Sequence, residues 1–131
     1  MSTTVGQWAR RVCMSALASA LRGGALPACT TIDLNNNQIG DAGVAALASA
    51  LRDGALPACT TIYLSRNQIG DDGVAALASA LRGGALPACT TIYLHGNPGS
   101  DAKNYDDVDS KVKEALASPE RAAALARRQA E

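Results

Sequence analysis

The chain is dominated by a repeat of 30 residues. The segment PACTTIDLNNNQIGDAGVAALASAL starts at Pro27, PACTTIYLSRNQIGDDGVAALASAL starts at Pro57, and PACTTIYLHGN opens a third copy at Pro87. A fixed period with invariant apolar positions indicates one supersecondary unit stacked on copies of itself, because each copy must bury its apolar face against a neighbour. The repeat therefore predicts a stack of like modules, with the remaining segments closing its two ends.

Two periodicities within each copy predict its secondary structure. Ile32 and Leu34 alternate with polar residues, which is typical of a half-buried strand. After Asp41 the apolar residues recur at the spacing of an amphipathic helix, at Val44, Leu47, Ala48 and Leu51. Asp41 suits the N-cap of this helix and Gly54 suits its C′ position. The repeat therefore predicts a strand, a turn, a helix and a second turn.

The apolar and asparagine positions also spell a known pattern. They fit LxxLxLxxNxI, with Cys in place of the first Leu, and are followed by GDAGVAALASAL; the positions are Cys29, Ile32, Leu34, Asn37 and Ile39. Over Met14 to Asn97 the chain resembles the leucine-rich repeat of the ribonuclease-inhibitor type, shared by that inhibitor, the Ran GTPase-activating proteins and the C-terminal arrays of NOD-like receptors.

The resemblance implies an α/β fold. It would be a right-handed leucine-rich-repeat solenoid, a short horseshoe segment with a parallel concave sheet and convex helices. The resemblance also implies a ladder of asparagines, Asn37, Asn67 and Asn97, whose side-chain amides bond the turn backbone of their own and adjacent repeats. Such pairing is required because a tight turn entering a core leaves backbone groups that need partners.

The cysteines recur with the same period and are interpreted as part of the core. Three of them occupy the first consensus apolar position, Cys29, Cys59 and Cys89. Strands in a sheet lie about 4.8 Å apart, so these thiols would form a buried, reduced column. Zinc sites usually contain close ligand pairs such as CxxC, and the sequence has none. We therefore expect neither a metal site nor a cofactor.

The outward-facing positions of the strands form the candidate binding surface. Side by side they bring together Asp33, Tyr63 and Tyr93, flanked by Asn35, Ser65 and His95, with Arg66 at the rim. Paired tyrosines beside an acid and an arginine are residue types that anchor protein interfaces. The alternative is that they are ordinary exposed sheet residues in cross-strand contact. We expect a protein partner on this concave face.

Nothing in the sequence points to catalysis. His95 is the only histidine, and no nucleophile or second group accompanies it in a recognised arrangement. GGALPA lacks the lysine and hydroxyl of a phosphate-binding loop. The sequence therefore favours a non-catalytic interaction module. The resemblance leaves two alternatives, a small-GTPase regulator of the Ran-activator type and a fragment of a larger NOD-like-receptor-type array.

Charge and hydropathy restrict the partners and the location. Twelve basic residues balance twelve acidic ones, so no general attraction to nucleic acid or to an anionic membrane is expected. No apolar run approaches the roughly 20 residues of a membrane span. We expect a cytoplasmic protein. An organellar protein is the alternative, because no acidic residue precedes Asp33 while Arg10, Arg11 and Arg22 lie among Ser and Thr.

The segments outside the repeats are interpreted as caps. We assign residues 1–118 to the repeat domain, with 1–26 as an N-terminal half repeat that lacks its strand, 27–97 as the repeats and 98–118 as a C-terminal cap helix. Residues 119–131 form a helical tail, predicted to be loose and solvated because Leu125 is its only large apolar residue. A partner-binding appendage is the alternative. Because the caps are thin, we also expect weak self-association through the ends of the stack.

Overall fold

In the computed structural model of the protein, the described residues are 2–4, 23, 30–104 and 107–130. The predicted helix of the N-terminal half repeat and Cys29 lie outside them. The strands are β1 (Ser2–Thr4), β2 (Thr31–Asp33), β3 (Thr61–Tyr63) and β4 (Thr91–Tyr93). The helices are α1 (Gly40–Arg52), α2 (Asp71–Arg82), α3 (Ser110–Leu116) and α4 (Pro119–Ala130).

The strands form one parallel sheet in the order β1-β2-β3-β4. Across the repeats the register follows the sequence period, so Thr31 lies opposite Thr61 and Thr61 lies opposite Thr91. Each of these strands leads through a turn into a helix. The predicted α/β class and the solenoid of like modules are therefore confirmed.

The N-terminal strand was not expected. Ser2 lies opposite Thr31 and Thr4 lies opposite Asp33, so β1 extends the sheet by one parallel strand. The prediction that the N-terminal half repeat lacks a strand is therefore wrong. Residues 2–4 contain no apolar alternation, and their register is one residue short of the repeat period, so the sequence pattern carried no signal for them.

The core lies between the sheet and the helices. Each strand of the repeats, with the residue that follows it, contributes fully buried side chains, Ile32, Leu34, Ile62, Leu64, Ile92 and Leu94. The helices contribute the predicted stripe, Val44, Leu47, Leu51, Val74, Leu77 and Leu81. Burying one Leu or Ile is worth roughly 1.5–3 kcal/mol, so this two-layer core accounts for the stacking. The alternating and helical periodicities are both confirmed.

The C-terminal ends of α1 and α2 share one hydrogen-bonding motif. Gly54 has φ of 98°, and its N–H donates to the carbonyl of Leu51 at 3.1 Å. The next N–H, from Ala55, reaches back to the carbonyl of Ala50 at 3.2 Å. Such a pair of bonds satisfies the last carbonyls of the helix and requires a residue that tolerates positive φ. Gly54 therefore occupies the predicted C′ position.

The N-terminal ends of the helices differ from the prediction. Helix α1 begins at Gly40, and Ile39 occupies its N-cap position without a side-chain hydrogen bond. The Asp41 carboxylate instead accepts the N–H groups of Gly70 and Gly73 at 2.6 and 3.1 Å. Asp41 therefore caps the helix of the following repeat, because parallel helices in register place one helix's first turn beside the next helix's start. The expectation that it caps its own helix is wrong.

The C-terminal segment continues the helical layer of the stack. Asp109, which is buried, is the N-cap of α3 and accepts the N–H groups of Lys111 and Val112 at 2.9 and 3.3 Å. Val112 and Ala115 of this helix are buried. Helix α3 packs against α2, so the cap extends the helical layer.

Helix α4 is anchored rather than loose. Arg121 is only 4% exposed, and its guanidinium donates to the carbonyls of Leu81, Ala85 and Leu86 at 2.9, 2.7 and 2.7 Å. These carbonyls lie at the negative end of the α2 dipole and in the loop after it, so they favour a cation. The prediction of a loose, solvated tail is therefore wrong. None of the helices within the described ranges is long and apolar enough to cross a membrane.

Candidate functional site

One face of the sheet is turned away from the helices, and we call it the strand face. It carries the two outer residues of β2, β3 and β4, while the central isoleucine of each of these strands is buried on the opposite side. Its members are all half-buried, Thr31, Asp33, Thr61, Tyr63, Thr91 and Tyr93. The register places Asp33, Tyr63 and Tyr93 side by side in one row across the sheet.

The two tyrosines of this row stack on each other. Their ring centroids are 5.0 Å apart and the ring planes are inclined by 18°. The separation is close to the spacing of neighbouring strands, about 4.8 Å, so the rings are stacked along the direction from β3 to β4. One face of each ring is therefore covered by the other ring. The second face of Tyr63 is turned towards β2, where the shorter Asp33 lies.

Asp33 and Asn35 are held by hydrogen bonds to the backbone. The Asp33 Oδ1 atom accepts the N–H of Asn35 at 3.0 Å, which closes a turn at the end of β2. The Asn35 Oδ1 atom accepts the N–H of Ser65 at 2.6 Å. Asn35 was predicted as a partner-binding residue, and the structure shows that its carboxamide oxygen already links two repeats.

Ser65 does not belong to the surface. It is 1% exposed, so its side chain cannot contact a partner, and its assignment as a binding residue is wrong. The alternation that placed it outward was extended beyond Tyr63, where β3 ends, and the residue after Ser65, Arg66, has φ of 56° and turns the chain. The Ser65 carbonyl accepts the N–H of Asn36 at 2.9 Å, so this turn forms part of the contact between repeats.

Arg66 and His95 lie in the turns that follow β3 and β4. Arg66 is exposed, and a Cβ added to Gly96 would meet the Arg66 Cγ at 2.7 Å. The arginine stem therefore lies over the turn of the following repeat, on the side away from Asp33. His95 is half-buried. The candidate surface thus has an acid at β2, stacked aromatic rings at its centre and a base beside the turn after β4.

The asparagines form a continuous chain of hydrogen bonds through the turns. Asn67 Oδ1 accepts the N–H of Asn37 at 2.8 Å, and Asn97 Oδ1 accepts the N–H of Asn67 at 2.7 Å. The Nδ2 atoms of Asn67 and Asn97 donate at 2.8 Å to the carbonyls of Leu34 and Leu64 in the preceding repeats. All three asparagines are buried. They hold the strand face in register without forming part of it.

The described cysteines belong to the core. Cys59 and Cys89 are buried thiols in equivalent positions before β3 and β4. Burial raises the pKa of the Cys89 thiol, which lowers its thiolate fraction and its reactivity. A cavity of about 550 Å³ adjoins it, lined by Cys89, Thr90, Asp107, Val108, Lys113, Leu116 and Ala117. Within the described ranges, no three potential metal ligands come together.

The comparisons with known proteins identify the repeat. The leucine-rich repeat family model matches residues 30–48 and 60–78. Each match covers a strand, the asparagine turn and part of the following helix, so it coincides with the structural module. None of the curated proteins matches the chain. Two family matches in equivalent positions, on a parallel strand-and-helix stack, show that this chain contains leucine-rich repeats.

Proposed function

We propose that this protein is a non-catalytic interaction module of the ribonuclease-inhibitor subclass, which binds a protein partner on its strand face. Leucine-rich repeats commonly serve protein–protein interaction, and solenoids of this kind offer extended concave surfaces. The observation that carries the proposal is the stacked pair of Tyr63 and Tyr93 at the centre of the row.

The tyrosine pair suits an interface for two physical reasons. Tyrosine offers a large, partly apolar contact area with a polar tip, and it is enriched among residues that dominate binding energy. Stacking at 5.0 Å also restricts both rings before the partner arrives. Binding therefore loses less side-chain entropy than it would with two mobile rings. The charges of Asp33 and Arg66 on either side supply the polar surroundings typical of an interface.

The size of the row favours a short segment as the partner. Asp33, Tyr63 and Tyr93 lie on three adjacent strands, so the row spans about 10 Å from β2 to β4. An extended peptide or an exposed loop matches that dimension. A large flat surface would require contacts from further elements.

The experiment begins with selection of binders from a displayed peptide library on the immobilised full-length chain. A selected peptide is then titrated into labelled protein and followed by NMR. We expect shift changes at the Tyr63 and Tyr93 rings and at the amide of Asp33, whereas Asp72 and Ser79 on α2 remain unaffected. Shift changes confined to the helices would refute binding on the strand face.

A further inference from the structure

We infer that the strand face recognises an arginine of its partner, whose guanidinium stacks on the face of Tyr63 that is turned away from Tyr93 and pairs with the Asp33 carboxylate. The inference rests on the proposed function and specifies which side chain of the partner the strand face recognises. It derives from a difference in side-chain type within the row. Residues 63 and 93 are tyrosines, whereas residue 33 is an aspartate.

The row forms a step. Tyr93 covers one side of the Tyr63 ring, and the register places Asp33 next to its other side. Because aspartate is much shorter than tyrosine, the space above Asp33 is bounded on the β3 side by the face of the Tyr63 ring. The step therefore has an acidic floor and an aromatic wall. A flat cation that enters it meets a negative charge below and the negative face of a ring beside it.

The floor of the step is fixed before binding. The N–H of Asn35 donates to Asp33 Oδ1 at 3.0 Å, and the Asn35 carboxamide is itself held by the N–H of Ser65 at 2.6 Å. Asp33 is half-buried, so its carboxylate is partly shielded from water. An incoming cation therefore meets a positioned charge, and the interaction requires little further ordering of side chains.

The shape of the step favours arginine over other side chains. A guanidinium is planar, so it can stack on a ring while its N–H groups point to a carboxylate, and it is less strongly hydrated than an ammonium group. A neutral side chain in the same place would desolvate Asp33 without compensating its charge. An acidic side chain would add repulsion. The site therefore selects against both.

Arg66, a basic residue among those the structure describes, lies on the other side of the tyrosines. The Arg66 stem passes over Gly96, beside the turn that follows β4, whereas Asp33 lies on β2. The negative and positive charges of the surface are thus separated by the tyrosine pair. A partner cation is therefore attracted to the β2 side of the tyrosine pair, so the part of the partner segment that carries it lies over β2.

The test is a double-mutant cycle with a selected peptide. Each arginine of the peptide is replaced in turn by citrulline, a neutral side chain of nearly the same shape, and affinity is measured for the wild-type chain and for Asp33→Asn. The asparagine keeps an oxygen that can accept the N–H of Asn35. Asp33→Tyr serves as a second variant, because tyrosine occupies the equivalent position in the next two repeats.

We expect citrulline at one position to weaken binding to the wild-type chain about tenfold and to have little effect on either Asp33 variant. Three results would overturn the inference: citrulline without effect at every position, selected peptides that lack arginine, or an equal citrulline effect on the wild-type and Asp33→Asn chains. Tyr63→Ala with Tyr93→Ala tests the proposed function separately. If that variant loses the peptide while citrulline has no effect, only the arginine inference fails. A library that yields no binder refutes both.

Discussion

The Asp41 carboxylate accepts the N–H of Gly70 at 2.6 Å and thereby ties the first turn of one repeat's helix to the start of the next helix. A second bond runs from the N–H of Gly73 at 3.1 Å, and a Cβ at Gly73 would meet the Asp41 Oδ1 at 2.6 Å. Glycine at that position therefore leaves room for the contact. Capping, which usually occurs within a helix, here acts between repeats.

Removal of this cap should destabilise the stack. We expect Asp41→Ala to lower the free energy of unfolding by about 1 kcal/mol, the usual effect of losing an N-cap side chain. The matched control is Asp71→Ala. Asp71 makes an exposed ion pair with Lys111, at 3.5 Å, so its replacement should cost no more than about 0.5 kcal/mol. Equal losses in a denaturant titration would contradict a capping role for Asp41.

The asparagine column should be sensitive at its centre. Asn67→Ala removes the partner of the Asn37 N–H and one partner of the Leu34 carbonyl, both buried, so we expect a loss of about 3 kcal/mol. Asn37→Ala is the control, because the Leu34 carbonyl would still accept from Asn67. Its loss should be smaller, about 1 kcal/mol. Denaturant titrations measure both, and a smaller loss for Asn67→Ala would disprove this ranking.

Arg121 should stabilise the fold by anchoring α4 to the repeats. Arg121→Met keeps the aliphatic stem but leaves the Leu81, Ala85 and Leu86 carbonyls without its guanidinium. The free energy of unfolding should therefore fall by about 3 kcal/mol. Truncation after Ser118 should have at least the same effect. Arg127→Met, at an exposed position of the same helix, should stay within about 0.5 kcal/mol. Truncation without loss of thermal stability would restore the view of α4 as a loose tail.

The loop before α3 should respond to acid. The Ser110 hydroxyl is the main reason that the pKa of Asp101 is lowered from 3.8, and the Ser110 N–H adds a second bond at 2.9 Å. The unfolded chain therefore binds this proton more readily, so the contact stabilises the fold above pH 3.8 and is lost as pH falls through the lower folded-state pKa. Ser110→Ala should return the pKa of Asp101 towards 3.8. An NMR titration of the carboxyl carbon that shows no change would contradict this assignment.

Much of the fold could be predicted because the residues that stabilise it recur at regular intervals in the sequence. Ile32, Ile62 and Ile92 reveal the strands by alternation, and the helical stripe reveals the layer that covers them. The asparagines could be expected as pairing groups because every tight turn that enters a core needs them. These signals repeat with the modules, so each copy reinforces the interpretation of the others.

The contacts that could not be predicted join residues far apart in the chain. Nothing in the sequence near Asp41 indicates that its carboxylate accepts the N–H of Gly70, because this hydrogen bond depends on the distance between two stacked helices. Arg121 lies in an alanine-rich segment that resembles a solvated helix, and its role becomes visible only when the end of α2 lies beside it. Ser65 was placed outward because the alternation of the strand was extended beyond Tyr63, where β3 ends. Composition cannot reveal these geometric outcomes.

The stacked tyrosines of the strand face are proposed to bind the partner, and a measurement of binding affinity tests this role. The dissociation constant of a selected peptide should be measured by calorimetry for the wild-type chain, for Tyr63→Ala with Tyr93→Ala, and for Asp72→Ala. Asp72→Ala is the control because it restores on α2 the residue found at Ala42 in the preceding repeat. We expect the double variant to bind at least about tenfold more weakly, a loss expected for central aromatic residues, while the affinity of the control is unchanged. Equal affinity of the double variant and the wild-type chain, with both proteins folded, would contradict this role.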